Sequence, residues 1–257
     1  MIDPHAVVDP SARLAPDVAV GPFSIIGPDV EIEAGTWIGP HVVIQGPTRI
    51  GRDNRIFQFA SLGEMPQDKK YGGEPTRLEI GDRNTIREFV TINRGTMQDT
   101  GVTRLGDDNW IMAYVHIAHD CAVGNRTIFA NGASLAGHVH VEDDVVLGGF
   151  ALVYQFTRLG MHSFCGFACG VHRDVPPYVT VAGYRAEPYG INAEGLRRRD
   201  FPDEEIQAIR RAYKAIYRAN LRLEEAVEKV REMVAEWPRL GILADFLAAP
   251  SRNGIVR

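Results

Sequence analysis

Aliphatic residues recur at every sixth position along most of the chain. From Val8 the steps to Leu14, Val20, Ile26 and onward to Leu62 are all aliphatic, ten positions in a row. Two steps then fall on Asp68 and Glu74, and the phase resumes at Ile80, Ile86 and Ile92. After a gap of thirteen it runs again from Leu105 through Ile111, Ile117 and Val123 to Val171. Of 25 repeat positions, 23 are Val, Ile or Leu, the exceptions being Phe129 and Cys165. A helix repeats near 3.6 and an ordinary strand near 2, so neither explains this pattern. A very short strand with one inward side chain, followed by a turn, does. Gly often follows the aliphatic residue, as at Gly21, Gly39, Gly51 and Gly106, and is expected to give that turn a permissive backbone. Three hexads then make one triangular coil of 18 residues, and stacked coils make a parallel β-helix.

The pattern predicts a β-helix domain over residues 1–189, with loops at 63–79 and 93–104 leaving its wall, and a helical domain over 190–257. Ile206, Ile209, Tyr213, Ile216 and Tyr217 share one face of a helix starting near Pro202 and Asp203. A second helix runs from Leu223 to Trp237 with Ala226, Val227, Val230 and Val234 inward, and stops at Pro238. Covering the open end of a β-helix is the simplest role for such helices.

Composition narrows the class further. The 257 residues carry 28 Lys and Arg against 33 Asp and Glu, a net charge of −5, which excludes a general nucleic-acid binder. Hydrophobic residues at 45% and charged residues at 24% are the balance of a globular protein. Cys121, Cys165 and Cys169 are odd in number and lack basic neighbours, so they read as neither a disulfide framework nor a nucleophile, and Cys165 sits at a core position. A reducing, cytoplasmic setting is expected, because the N-terminus has no secretory pattern and no long apolar run occurs. No phosphate-loop or dinucleotide fingerprint is present, so no cofactor is expected.

The coil period converts sequence distance into geometry, since residues 18 apart stack on neighbouring coils. His116, His119 and Asp120 should therefore share a ridge with Gly137 and His138 and with Tyr154 and Gln155, about 10 Å tall. A histidine beside a carboxylate is the arrangement of a general base, the acid fixing the tautomer and steadying the imidazolium. Three histidines on one ridge also allow a zinc site. The loop with Asp68, Lys69, Lys70, Tyr71 and the Gly72-Gly73 hinge is long for a compact repeat, which favours a functional role.

These residues together resemble a known family. Gly-Glu-Pro-Thr-Arg at 73–77, Ile-Asn-Arg-Gly-Thr at 92–96, His-Ile-Ala-His-Asp at 116–120, Leu-Ala-Gly-His at 135–138, Asp-Val-Pro-Pro-Tyr at 174–178 and Glu-Gly-Leu-Arg-Arg-Arg at 194–199 resemble the bacterial UDP-N-acetylglucosamine O-acyltransferase family from end to end. The resemblance implies a left-handed β-helix, against the usual crossover hand, and a homotrimer with its sites between subunits. It implies transfer of a (R)-3-hydroxyacyl group from acyl carrier protein to the 3-hydroxyl of UDP-N-acetylglucosamine, the first step of lipid A synthesis. His119 would be the base, Asp120 its orienting carboxylate, and the Gly137 N–H the donor to the oxyanion. His116 and His138 would position sugar and phosphate, Asp68 and Lys70 would hold the glucosamine, and Gln155 would line the cleft. Asn192, Glu194, Arg198 and Arg199 match the family's nucleotide and phosphate contacts, where the guanidinium fork suits a diphosphate.

Three positions depart from the family's pattern. Tyr154 and Asn93 stand where histidine is common, which leaves a 3-amino sugar as an alternative acceptor. Phe167 stands at the acyl-chain ruler, where a bulky ring should shorten the slot to about ten carbons from about fourteen. Of the rival readings, a related N-acyltransferase needs an extra N-terminal domain for which hexads beginning at Val8 leave no room. A zinc carbonic anhydrase of the same fold and a non-enzymatic scaffold are the others.

Overall fold

A computed structural model describes all 257 residues. Between Val7 and Ile191 the chain forms short strands, most of two residues, that sort into three sheets of nine, eight and ten. Pairing is parallel with an offset of 18: Val8 lies against Ile26 on the first face, Leu14 against Ile32 on the second, and Val20 against Ile38 on the third. The result is a left-handed parallel β-helix. The repeat residues fill its interior, with Ile26, Ile44, Ile56, Ile92 and Ile117 buried.

The turn glycines act differently from expectation. Left-handed backbone falls two residues later, on Phe23, Asp29, His41, Asp120 and His138, with φ between 54° and 62°. The glycines are instead required by the close stacking of coils. A Cβ on Gly21 would lie 2.8 Å from the carbonyl carbon of Gly39, and one on Gly106 would lie 2.6 Å from the Gly124 oxygen. Side chains at these positions would push neighbouring coils apart.

The two interruptions are narrower than the sequence implies. Strands Ser61–Glu64 and Arg77–Ile80 stay in the wall, so only residues 65–76 leave it. Strand Val102–Leu105 likewise reduces the second excursion to residues 94–101. At the last coil, strand Val179–Ala182 turns back into an antiparallel partner, Glu187–Ile191. Four helices follow: α1 (Ala193–Arg197), α2 (Asp203–Tyr217), α3 (Leu223–Val234) and α4 (Leu240–Ala248). Ile206, Ile209, Val230 and Leu243 form their shared core, and Tyr213 and Val256 plug into the β-helix interior. Helix α3 ends at Val234, short of Trp237. Helix α4 went unforeseen because Leu240 to Ala248 is apolar almost all round and shows no amphipathic period. No helix is long and apolar enough to cross a membrane.

Candidate active site

The corner between the first and second faces gathers the ridge residues. His119 and Asp120 follow strand His116–Ile117, and the next coil brings Gly137 and His138 alongside, with the His138 N–H donating to the His119 carbonyl at 3.1 Å. Nδ1 of His119 lies 2.9 Å from Oδ2 of Asp120. The Asp120 carboxylate is fully buried; it accepts the Thr96 N–H at 2.8 Å and the Thr96 hydroxyl at 2.6 Å. Burial alone would raise its pKa, but the hydrogen bonds from His119 and Thr96 outweigh this and hold it below the ordinary carboxylate range. It is therefore ionised at neutral pH and fixes Nδ1 as the protonated nitrogen, which leaves Nε2 as a free base.

Gly137 is required by the His119 ring packed against it. A Cβ there would fall 2.5 Å from Cε1 and 2.7 Å from Nε2 of His119. The Gly137 N–H has no acceptor within the chain. His138 stacks on Phe156 with ring centroids 4.5 Å apart and meets the His119 ring edge-on at 5.1 Å. Nδ1 of His138 is 3.0 Å from Oδ2 of Asp99. His116, on the first face, pairs Nδ1 with the Thr91 hydroxyl at 2.7 Å, and burial and then the neighbouring His119 push its pKa down. Gln155 is exposed on the coil above, its side chain unengaged.

The two wall excursions close over this corner. Asp68 accepts the Lys70 N–H at 3.0 Å and the Gln98 amide at 3.2 Å, so the excursions join each other. The Lys70 N–H bond is the main reason the Asp68 pKa is lowered. Lys70 itself is exposed. Asn93 is buried and its amide donates to the Met65 carbonyl at 2.9 Å, which makes it an anchor of the first excursion rather than a ligand for substrate. Thr96 and Asp99 were missed in the sequence. The only signal for them was the Asn-Arg-Gly-Thr motif, because an excursion breaks the count of 18 that locates everything else.

Above the dyad on the first face runs an apolar groove of about 170 Å³ lined by Ala136, Leu152, Tyr154, Gly170 and Tyr184. Tyr154 stacks on His172 at 5.8 Å, and Gly170 leaves room for the Tyr184 ring.

The remaining candidates lie elsewhere in the protomer. Asn192 caps α1, its Oδ1 accepting the Gly195 N–H at 3.1 Å and its amide donating to the His162 carbonyl at 3.0 Å. Glu194 and Arg198 pair on the surface of α1 at 3.1 Å. Arg199 donates to Asp144 at 2.7 Å, at the corner between the second and third faces. Burial opposes ionisation of Asp144, but Arg126 and Arg199 prevail and lower its pKa. Phe167 stands on the third corner, 74% exposed, beside Phe150. The dyad, the helix segment with Arg198 and Arg199, and Phe167 thus occupy three different corners of one prism.

Nδ1 or Nε2 of His119 and His138 and an oxygen of Asp120 lie within 4.8 Å of one another, close enough for a metal. Both Asp120 oxygens are already acceptors of the Thr96 and His119 hydrogen bonds, and His138 Nδ1 faces Asp99. The donor set therefore fits a hydrogen-bonded acid–base pair better than zinc, which takes neutral imidazoles with free lone pairs.

Comparison with known proteins shows what the chain as a whole is similar to. Residues 174–256 match the family model of UDP-N-acetylglucosamine O-acyltransferase domain 2, and residues 103–137 match bacterial transferase hexapeptide repeats. The chain is 65% identical over 226 residues, 88% of itself and 86% of the relative, to the acyl-(acyl-carrier-protein)–UDP-N-acetylglucosamine O-acyltransferase of Herminiimonas arsenicoxydans. It is 60% identical to that of a Janthinobacterium species over 100% of its own length and 99% of the relative's. Among solved structures, the UDP-N-acetylglucosamine acyltransferase of Francisella novicida is 44% identical with a TM-score of 0.97, covering 100% of this chain and 94% of its own.

Proposed function

The chain belongs to the UDP-N-acetylglucosamine O-acyltransferase family, and on that premise we propose how its own residues carry the reaction. It is an acyltransferase that moves an acyl group from acyl carrier protein to UDP-N-acetylglucosamine, opening lipid A biosynthesis. Nε2 of His119 takes the proton of the sugar 3-hydroxyl as that oxygen attacks the thioester carbonyl of a (R)-3-hydroxyacyl group. Asp120 holds Nδ1–H and offsets the charge of the imidazolium. The Gly137 N–H receives the oxyanion, a preorganised donor of the kind that contributes a few kcal/mol. Collapse breaks the carbon–sulfur bond, and His119 returns its proton to the departing thiolate. The observation that carries this reading is the buried Asp120, held by three hydrogen bonds, against a ring whose other nitrogen is free.

The groove of Ala136, Leu152 and Gly170 begins one coil above His119 and suits an acyl chain, and the exposed Phe167 at the far corner of that face limits the chain to about ten carbons. Asp68 and Lys70 hold the glucosamine, His116, His138 and Gln155 line the cleft, and Asn192, Glu194, Arg198 and Arg199 serve the nucleotide. Because one protomer splits these groups among its corners, the complete site is shared between copies in a homotrimer. Acyl carrier protein is acidic, and α2 offers Arg210, Arg211 and Lys214, with Arg218 just beyond its end, all exposed. The enzyme works in the cytoplasm, where its substrates are made.

The test is acyl transfer from a series of (R)-3-hydroxyacyl carrier proteins to UDP-N-acetylglucosamine. His119→Ala should lower kcat by about 10²–10⁴. Full activity in that variant would overturn the assignment.

A further inference from the structure

The second wall excursion sets three side chains, all between Thr96 and Asp99, on three different groups of the site. Thr96 donates to Asp120, Gln98 donates to Asp68 at 3.2 Å, and Oδ2 of Asp99 lies 3.0 Å from Nδ1 of His138. The excursion is closed by its own turn, in which the Thr96 carbonyl accepts the Asp99 N–H at 3.4 Å and the Gly101 N–H at 3.1 Å. Asp120 and Asp68 already have a place in the reaction. Asp99 has none, and its side chain bonds to His138 alone.

The ring of His138 does not by itself present one particular edge. It lies flat on Phe156, with centroids 4.5 Å apart and planes 8° apart, and the Arg252 guanidinium carbon sits 3.7 Å from the Phe156 centroid. Stacking of this kind fixes the plane of an imidazole but not which way round it lies, because half a turn about the Cβ–Cγ bond keeps the stack and exchanges nitrogen for carbon. Nor does stacking choose the tautomer, which is set by the hydrogen bond that one ring nitrogen makes. An acceptor at Nδ1 settles both. Two carboxylates stand near it, Asp99 at 3.0 Å and Asp120 at 3.8 Å. The nearest Asp120 oxygen, Oδ2, already receives Nδ1 of His119 and the Thr96 hydroxyl. If His138 turned to that oxygen, two rings would compete for it and the base would lose part of its hold.

We propose that Asp99 is a positioning residue acting through His138: it takes Nδ1–H, which leaves Nε2 as the nitrogen presented to the cleft, and it keeps His138 off the Asp120 oxygen that serves His119. The inference rests on the acyl-transfer reading of this corner and adds a residue to it. The excursion thereby orients both histidines, His119 by way of Thr96 and Asp120, and His138 by way of Asp99.

Steady-state transfer kinetics of the full chain, arranged as a double-mutant cycle, test it. Asp99→Ala should lower kcat/KM for UDP-N-acetylglucosamine about tenfold or more, the loss expected when a hydrogen bond to a carboxylate is removed. Asp99→Asn keeps an oxygen that can accept Nδ1–H and should stay within about threefold of wild type. In a His138→Ala background, Asp99→Ala should change kcat/KM by less than about twofold, because the ring it positions is gone. A merely structural role would loosen Thr96 and Gln98 as well, and the loss would persist in that background. Such persistence, a wild-type kcat/KM in Asp99→Ala, or an Asp99→Asn enzyme as slow as Asp99→Ala would each overturn the proposal. His119→Ala separates this from the reading beneath it: full activity there removes both, whereas an inactive His119→Ala beside an unaffected Asp99→Ala removes Asp99 alone.

Discussion

The Thr96 hydroxyl lies 2.6 Å from the same Asp120 oxygen that receives Nδ1 of His119, so a residue from a wall excursion fixes the base on the wall. The acid–base pair is thus a product of two segments that are 24 residues apart.

Removing that carboxylate should separate chemistry from binding. Asp120→Ala is expected to lower kcat by about a hundredfold or more with little change in KM, because the imidazole loses its tautomer and its counter-charge. The buried Thr96 N–H would lose its acceptor, which should cost about 1–3 kcal/mol of stability by urea unfolding.

Gly137→Ala adds a single methyl at 2.5 Å from the His119 ring. The ring must rotate off the carboxylate, and a displacement of this size costs about a hundredfold in rate. Steady-state kinetics should show the loss in kcat, while the melting temperature changes less than in Asp120→Ala.

Phe167→Gly should lengthen the slot. The ratio of transfer rates for acyl chains of about fourteen and about ten carbons is expected to rise at least about tenfold, a pocket effect of 1–3 kcal/mol. An unchanged ratio would remove Phe167 from the acyl path.

His162 gives a pH signature of stability. It is enclosed by Tyr178 and Phe201, with Asp144, Arg199, Arg126 and Arg239 facing it; Nδ1 has no hydrogen-bond partner and lies 3.8 Å from the Asp144 carboxylate. Burial is the largest influence and brings its pKa down to about 4. Between about 6.5 and 4 the unfolded chain takes up a proton that the folded ring refuses, so stability is complete above 6.5 and falls as pH drops through that window, by about 1–3 kcal/mol. His162→Phe keeps the stacking and should flatten the urea midpoint across it.

Reversing the cations of α2 should act on the donor alone. Arg210→Glu with Lys214→Glu is expected to raise KM for acyl carrier protein substrates about tenfold or more and to leave KM for UDP-N-acetylglucosamine unchanged. The wild-type KM for the donor should rise with salt.

The hexad period was enough to reveal the β-helix, its 18-residue coil and the stacking of His119, Gly137 and Gln155, because a coil fold turns sequence distance into spatial distance. The α2 and α3 faces were legible for the same reason, a period that survives in the sequence. Tertiary structure alone decided the rest. Thr96, Asp99 and Asn93 sit in excursions where the count of 18 fails, so their contacts with Asp120, His138 and Met65 have no sequence signature. The turn glycines looked like sites of conformational freedom, yet only the distance to the next coil shows that they are sites of contact. Motif matching placed His119, Arg198 and Phe167 in one site. The fold puts them on three corners, since a prism of one chain turns its edges away from each other.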